Sequence, residues 1–200
     1  MHSDSSKRKQ NEYIKLSVTL FGIAFVVALL LAVVNFITVP KIAQINQQKL
    51  EQAMAAVLPD AKNFEDVSES VLSQWDNETT LISVQAGKDD KGEIIGYCVE
   101  VTPKGYSDII DMMIGLSADG EITATEIISL SDTPGIGTQV EEDSFQSQFI
   151  GKSGNLTIVK ESASAGEVAL ISGATYSSSG FANGVDAALQ AYKIIVGEGA

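Results

Sequence analysis

The densest run of hydroxyl side chains in this chain is Ser172-Gly173-Ala174-Thr175-Tyr176-Ser177-Ser178-Ser179-Gly180. A short apolar run, Val168 to Ile171, enters it. Phe181 to Val196 leaves it, with Val185, Ala188, Leu189 and Tyr192 at helical spacing. The pattern predicts a strand, a hydroxyl-rich turn and a helix N-terminus. Two chemistries follow from that arrangement. Unpaired N–H groups and the helix dipole can hold an anion such as a phosphate. Equally, Ser and Thr are preferred N-caps, and the stretch then only closes a helix. A second group, Thr133-Pro134-Gly135-Ile136-Gly137, follows a predicted strand. It reads as a type II turn, with Pro at i+1 and Gly at i+2. It also reads as backbone brought close to a flat ligand, which Gly permits by lacking Cβ. Gly105-Tyr106-Ser107 opens a further strand, where the aromatic ring either joins the core or flanks a ligand ring.

Other chemistry is excluded by composition. There is one His, His2, and one Cys, Cys98. A Ser-His-Asp mechanism fails because the only imidazole lies in the N-terminal tail. One Cys builds no zinc ribbon, iron–sulfur cluster, c-type haem or internal disulfide within this chain. Cys98 lies in an apolar strand and is expected to be an inert core thiol. Any redox chemistry therefore needs an organic cofactor or a partner's centre. The formal net charge is −13, and an acidic globular part repels phosphate backbones, which argues against nucleic-acid binding.

The elements that position these groups are predicted as follows. Residues 1–15 form a polar tail without order, with Lys7, Arg8, Lys9 and Lys15 against Asp4 and Glu12. Leu16 to Val39 carries no charge and spans about 36 Å as a helix, which identifies an uncleaved membrane anchor. The basic residues before it favour an inside N-terminus and an outside acidic domain. Pro40 is expected to break the helix. An amphipathic piece, Lys41 to Leu58, then packs on the domain or on a partner's membrane helices, and Pro59 ends it. Asn63 to Thr79 reads as loop, with Trp75 as a packing residue. From Thr80 onward the signals are β. Leu81–Gln85 and Glu93–Thr102 flank a hairpin linker, and Ile109–Leu116 and Ile122–Leu130 flank the tight-turn pair Asp119-Gly120. A short helix over Asp143–Phe149 and a strand over Leu156–Val159 follow. The fold class is α+β: one transmembrane helix, a helical linker over 40–79, then a twisted, mainly antiparallel sheet over 80–200 with helices on one side.

The anchor, Gly105-Tyr106-Ser107, Thr133-Pro134-Gly135-Ile136-Gly137 and Ser172-Gly173-Ala174-Thr175 together resemble the membrane-bound FMN-binding domain family. Within it they resemble the G subunits of Rnf electron-transport complexes, whose relatives are the C subunits of sodium-pumping NADH:quinone reductases. The resemblance covers nearly the whole chain, and the Ser-Gly-Ala-Thr element is its specific part. It implies FMN joined by a phosphoester to the hydroxyl of Thr175. Ser172, Gly173, Ala174, Tyr176 and Ser177 would surround the phosphate. Asp132, Thr133, Gly135, Ile136 and Gly137 would approach the isoalloxazine ring, and Asp108 or Asp132 would bear on its potential. Partners implied are the other membrane and redox subunits of an Rnf-type complex, a flavin transferase and membrane lipid. One departure stands out: the transferase's pattern usually has an acidic residue six positions before the acceptor, and here that position is Ala169, with Glu167 two residues earlier. Electron carriage in an ion-translocating ferredoxin:NAD oxidoreductase is the leading expectation. The alternatives are the quinone-reductase counterpart and an anchored non-redox domain in which Thr175 is only a helix cap.

Overall fold

The computed structural model describes residues 3–132, 134–160 and 167–197, with side chains from Lys15 onward. Two compact units divide it, 1–48 and 49–200. The first is the greater part of α1 (Ser3–Val57). Leu16 to Val39 is apolar and exposed along its length, and α1 is the one helix among the described residues long and apolar enough to cross a membrane. Two expectations are corrected here. The tail does not stay without order, because α1 begins at Ser3, and extending an existing helix costs far less than nucleating one. Pro40 does not break the helix, which runs through it to Val57. A proline removes one backbone hydrogen bond, and apolar spans tolerate that loss because a break would leave many more groups unpaired.

The second unit is built on a five-stranded antiparallel sheet in the order β1 (Asn63–Asp66), β2 (Thr80–Lys88), β3 (Ile94–Thr102), β4 (Ile110–Ser117), β5 (Ile122–Leu130). Asn63 to Thr79 is therefore not all loop, since it contributes β1 and α2 (Ser68–Leu72). Trp75 packs against the core and its Nε1–H donates to Thr79 O at 3.0 Å. A 3-10 turn (Gly137–Glu141), α3 (Asp143–Gln146), the parallel pair β6 (Thr157–Val159) and β7 (Glu167–Ala169), and α4 (Thr175–Ile195) complete the chain.

Strand alternation gives the sheet two apolar faces. Val84, Val99, Val101, Met112, Ile114 and Leu116 meet Phe181, Val185, Ala188 and Leu189 of α4. Cys98 and Met113 point the other way and meet Ala53, Met54, Val57 and Leu58. Helical segments thus cover both faces, not one as expected, and the end of α1 chooses the domain as its packing partner. Space for it comes from Gly87, Gly96 and Gly115 on adjacent strands: a Cβ would meet Leu58 at Gly87, Val57 and Thr123 at Gly115, and the Leu116 carbonyl and then Leu58 at Gly96. Thr123 Oγ1–H donates to Val57 O at 2.6 Å, satisfying a carbonyl at the helix end. Cys98 is fully buried, and burial pushes its thiol up to about 12, as an inert core thiol requires.

Candidate functional site

The hydroxyl-rich run becomes a tight turn followed by the first turns of α4. Gly173 takes φ +84°, a conformation that favours glycine. Ala174 N–H donates to Ile171 O at 3.1 Å, closing the turn. Ser178, fully buried, fastens it: its Oγ–H donates to Ala174 O at 2.9 Å and its Oγ accepts from Ile171 N–H at 3.2 Å. The N-cap is Ala174, and no side chain caps the helix. Thr175 is the first helical residue and is exposed, so the reading of Thr175 as the cap is overturned. The first intrahelical bond is Ser178 N–H to Ala174 O, so the N–H groups of Thr175, Tyr176 and Ser177 precede the helical ladder.

α4 is docked at its start by close backbone approach. Gly180 lies against the carbonyl of Lys104, and Gly184 lies against Pro103 and Met112. This brings the loop between β3 and β4 beside the helix N-terminus. The loop after β5 supplies the third wall. Between them lies a cleft of about 500 Å³ lined by Tyr106, Asp132, Ile136, Gly137, Gly173, Ala174, Thr175, Tyr176 and Ser177. That size lies within the usual range of small-ligand sites, roughly 300–1,000 Å³.

Asp132 ties the three walls together. Its carboxylate accepts from Tyr106 N–H at 3.4 Å, from Ser107 N–H at 3.3 Å and from the buried Ser177 hydroxyl. Gly137 lies so near that a Cβ there would stand 2.5 Å from Asp132 Cγ. Tyr106 and Tyr176 are 65 % and 73 % exposed, and their ring centroids stand 5.9 Å apart at 49°. Together with exposed Ile136 they give the cleft apolar sides.

Among the residues expected at the site, Asp132, Ile136, Gly137, Gly173, Ala174, Thr175, Tyr176 and Ser177 line the cleft. Ser172 and Gly135 are exposed nearby in sequence but are not lining residues. Gly135 has φ +77°, as position i+2 of a type II turn requires, and its N–H donates to Thr138 Oγ1 at 2.9 Å. Thr133 lies outside the described residues. Asp108 is not a lining residue; its Oδ1 accepts from Ile109 N–H at 2.8 Å. Tyr106, which spacing alone does not assign to core or ligand, is exposed at the cleft. At Ala169, the backbone N–H and C=O both bond the Gln148 amide, at 2.9 and 3.4 Å.

The fold and the cleft define a small α+β ligand-binding domain behind an apolar N-terminal helix, of the FMN-binding type. The family model described as FMN-binding domain matches residues 105–190, and that described as RnfG N-terminal region matches residues 7–57. The G subunit of the Na(+)-translocating ferredoxin:NAD(+) oxidoreductase complex of Acetobacterium woodii is 35 % identical over 190 residues, covering 90 % of this chain and 91 % of that one. The proton-translocating counterpart from Clostridium ljungdahlii is 28 % identical, covering 92 % and 93 %. The crystal structure of Shewanella oneidensis NqrC shares the fold with a TM-score of 0.50 and 22 % identity, over 58 % of this chain and 59 % of that one. The chain belongs to the RnfG family, the G subunits of ion-translocating ferredoxin:NAD(+) oxidoreductase complexes.

Proposed function

We propose that this chain carries FMN joined to Thr175 and passes electrons within a membrane-bound, ion-translocating ferredoxin:NAD oxidoreductase. The single observation that carries the reading is the placement of Thr175. It is an exposed hydroxyl at the first residue of α4, without a capping role, on the wall of a cleft with apolar sides. The chain's own residues fit the group. The N–H groups at the start of α4 suit a phosphate, and the exposed Thr175 hydroxyl stands beside them. Tyr106, Tyr176 and Ile136 offer apolar surface for a flat ring, and Gly137 and Gly173 keep the walls thin. When bound, the flavin supplies the electron chemistry, while the protein supplies position and electrostatics. In attachment, Thr175 Oγ1 bonds the flavin phosphorus, loses its proton and displaces the donor's leaving group. A flavin transferase of the cell performs that step on this reading.

In this arrangement residues 1–15 lie on the cytoplasmic side, 16–39 span the lipid, 40–79 link, and 80–200 hold the flavin outside. Lys7, Arg8, Lys9 and Lys15 before the span support that orientation. Partners are the other membrane and redox subunits of an Rnf-type complex. A covalent bond suits a domain outside the cell because a tether holds the cofactor locally without any binding equilibrium.

The test is flavin fluorescence in a denaturing gel, with intact mass, on chain made in a host with a competent transferase. The expected result is a fluorescent band and a mass gain of FMN minus water, both absent in Thr175→Ala. No flavin on the parent chain under those conditions would remove the covalent reading.

A further inference from the structure

The apolar walls of the cleft suit a flat ring, but its charge does not suit a free phosphate. Among the described residues, no Lys, Arg or His side chain lines it, and its one lining carboxylate is Asp132. That carboxylate is fixed by two backbone N–H groups and the Ser177 hydroxyl, with Gly137 packed behind it. It stands beside the first turn of α4, where it already answers the positive end of the helix dipole. A phosphate arriving there meets an anion in place.

We propose that Asp132 makes the cleft discriminate against free phosphomonoesters, so that retention of the flavin depends on the diester bond at Thr175. The inference rests on the reading of the cleft as the flavin site. A phosphomonoester carries about −1.5 to −2 at pH 7. A phosphodiester has a single ionisable oxygen and carries one negative charge. Esterification to Thr175 therefore removes up to one unit of charge facing Asp132. Asp132 acts as a specificity-determining residue: it weakens a loosely held FMN and tolerates the attached one. The same carboxylate holds the Tyr106 loop against α4 through the Tyr106 and Ser107 N–H groups.

The experiment uses the full-length Thr175→Ala chain in detergent, titrated with riboflavin and with FMN, and followed by flavin anisotropy. Riboflavin, which lacks the phosphate, is expected to bind at least as tightly as FMN. Adding Asp132→Asn is expected to raise the ratio of FMN affinity to riboflavin affinity about tenfold or more, because the substitution removes the charge that only the phosphate opposes. Adding Ser177→Ala instead, which keeps the charge and removes one hydrogen bond, is expected to preserve the preference for riboflavin. Tighter binding of FMN than riboflavin to Thr175→Ala, or an FMN-to-riboflavin ratio untouched by Asp132→Asn, overturns the proposal. If Asp132→Asn does not melt cooperatively, the order of the two ligands on Thr175→Ala decides alone. Binding of neither flavin to any of these folded chains overturns the proposal, whereas absence of covalent flavin on the parent chain overturns the reading of the cleft, so the two failures are distinct.

Discussion

Gly180, in the second turn of α4, lies directly against the carbonyl oxygen of Lys104, 76 residues earlier and just beyond the end of β3. The contact fixes how far the helix start stands from the loop that carries Tyr106. Helix propensity alone predicts that Gly180→Ala stabilises α4 by about 1 kcal/mol. The contact predicts the opposite, because the new methyl meets backbone that cannot rotate away, and overpacking of this kind costs about 1–3 kcal/mol. The melting temperature is expected to fall. Thermal unfolding followed by circular dichroism decides the sign, and a gain would show that the loop yields.

Phe181 is fully buried and meets Phe145 and Phe149 edge-on or tilted, with centroids 5.3 and 5.2 Å away. It anchors α4 one turn beyond Ser178. Phe181→Ala is expected to cost about 3–5 kcal/mol, the range for a buried aromatic truncation. Denaturant unfolding measures it. A loss below about 1 kcal/mol would mean that the three-ring cluster repacks around the gap.

Glu100 and Asp111 lie on neighbouring strands on the face that carries Met113. Burial raises both carboxyls above their ordinary range, and the charge of Asp111 raises Glu100 further. The Ser83 hydroxyl, 2.8 Å from Glu100 Oε2, and Lys49, beside Asp111, act the other way. Asp111 Oδ1 is buried without a hydrogen-bond partner among the described residues. Each group binds its proton more tightly folded than unfolded. The folded chain therefore holds more protons between the two values, and these groups cost stability as pH rises through that window. Asp111→Asn is expected to raise the melting temperature at neutral pH, with the gain shrinking as pH falls toward about 4. A gain independent of pH would assign the effect to packing.

Cys98 is expected to resist alkylation in the native state. A thiol at about 12 is roughly one part in ten thousand thiolate at pH 8, and it is buried beneath Met54. Iodoacetamide labelling read by mass should stay negligible until denaturant opens the sheet. Fast native labelling would place an opening motion at the end of α1.

Legibility in the sequence differed by element. The strand, turn and helix around Thr175 could be read because apolar runs of different period meet at a Gly-rich junction. β1 escaped because only Phe64 of its four residues faces apolar surface, and its pairing with β2 is a long-range fact. Pro40 misled because the loss of one backbone hydrogen bond does not outweigh the rest of a long continuous helix. The hydroxyls of the site were visible, but the use of Ser177 was not. Its partner, Asp132, lies 45 residues away, and no spacing rule connects them. The nearness of Tyr106 and Tyr176 depends likewise on how Gly180 and Gly184 dock.

The trench formed by Gly87, Gly96 and Gly115 has a practical consequence for anyone wishing to free the domain from its anchor. Val57 and Leu58 fill that trench, so a protease cut or an expression boundary at Pro59 does not release an intact soluble piece. It uncovers Cys98, Met113 and Phe64 across three strands, an apolar gutter that favours self-association. A chain begun at Lys49 keeps its own stopper. The last turns of the anchor helix are thus domestic to the sheet, and the boundary between anchor and domain falls inside one continuous helix rather than at the proline that follows it.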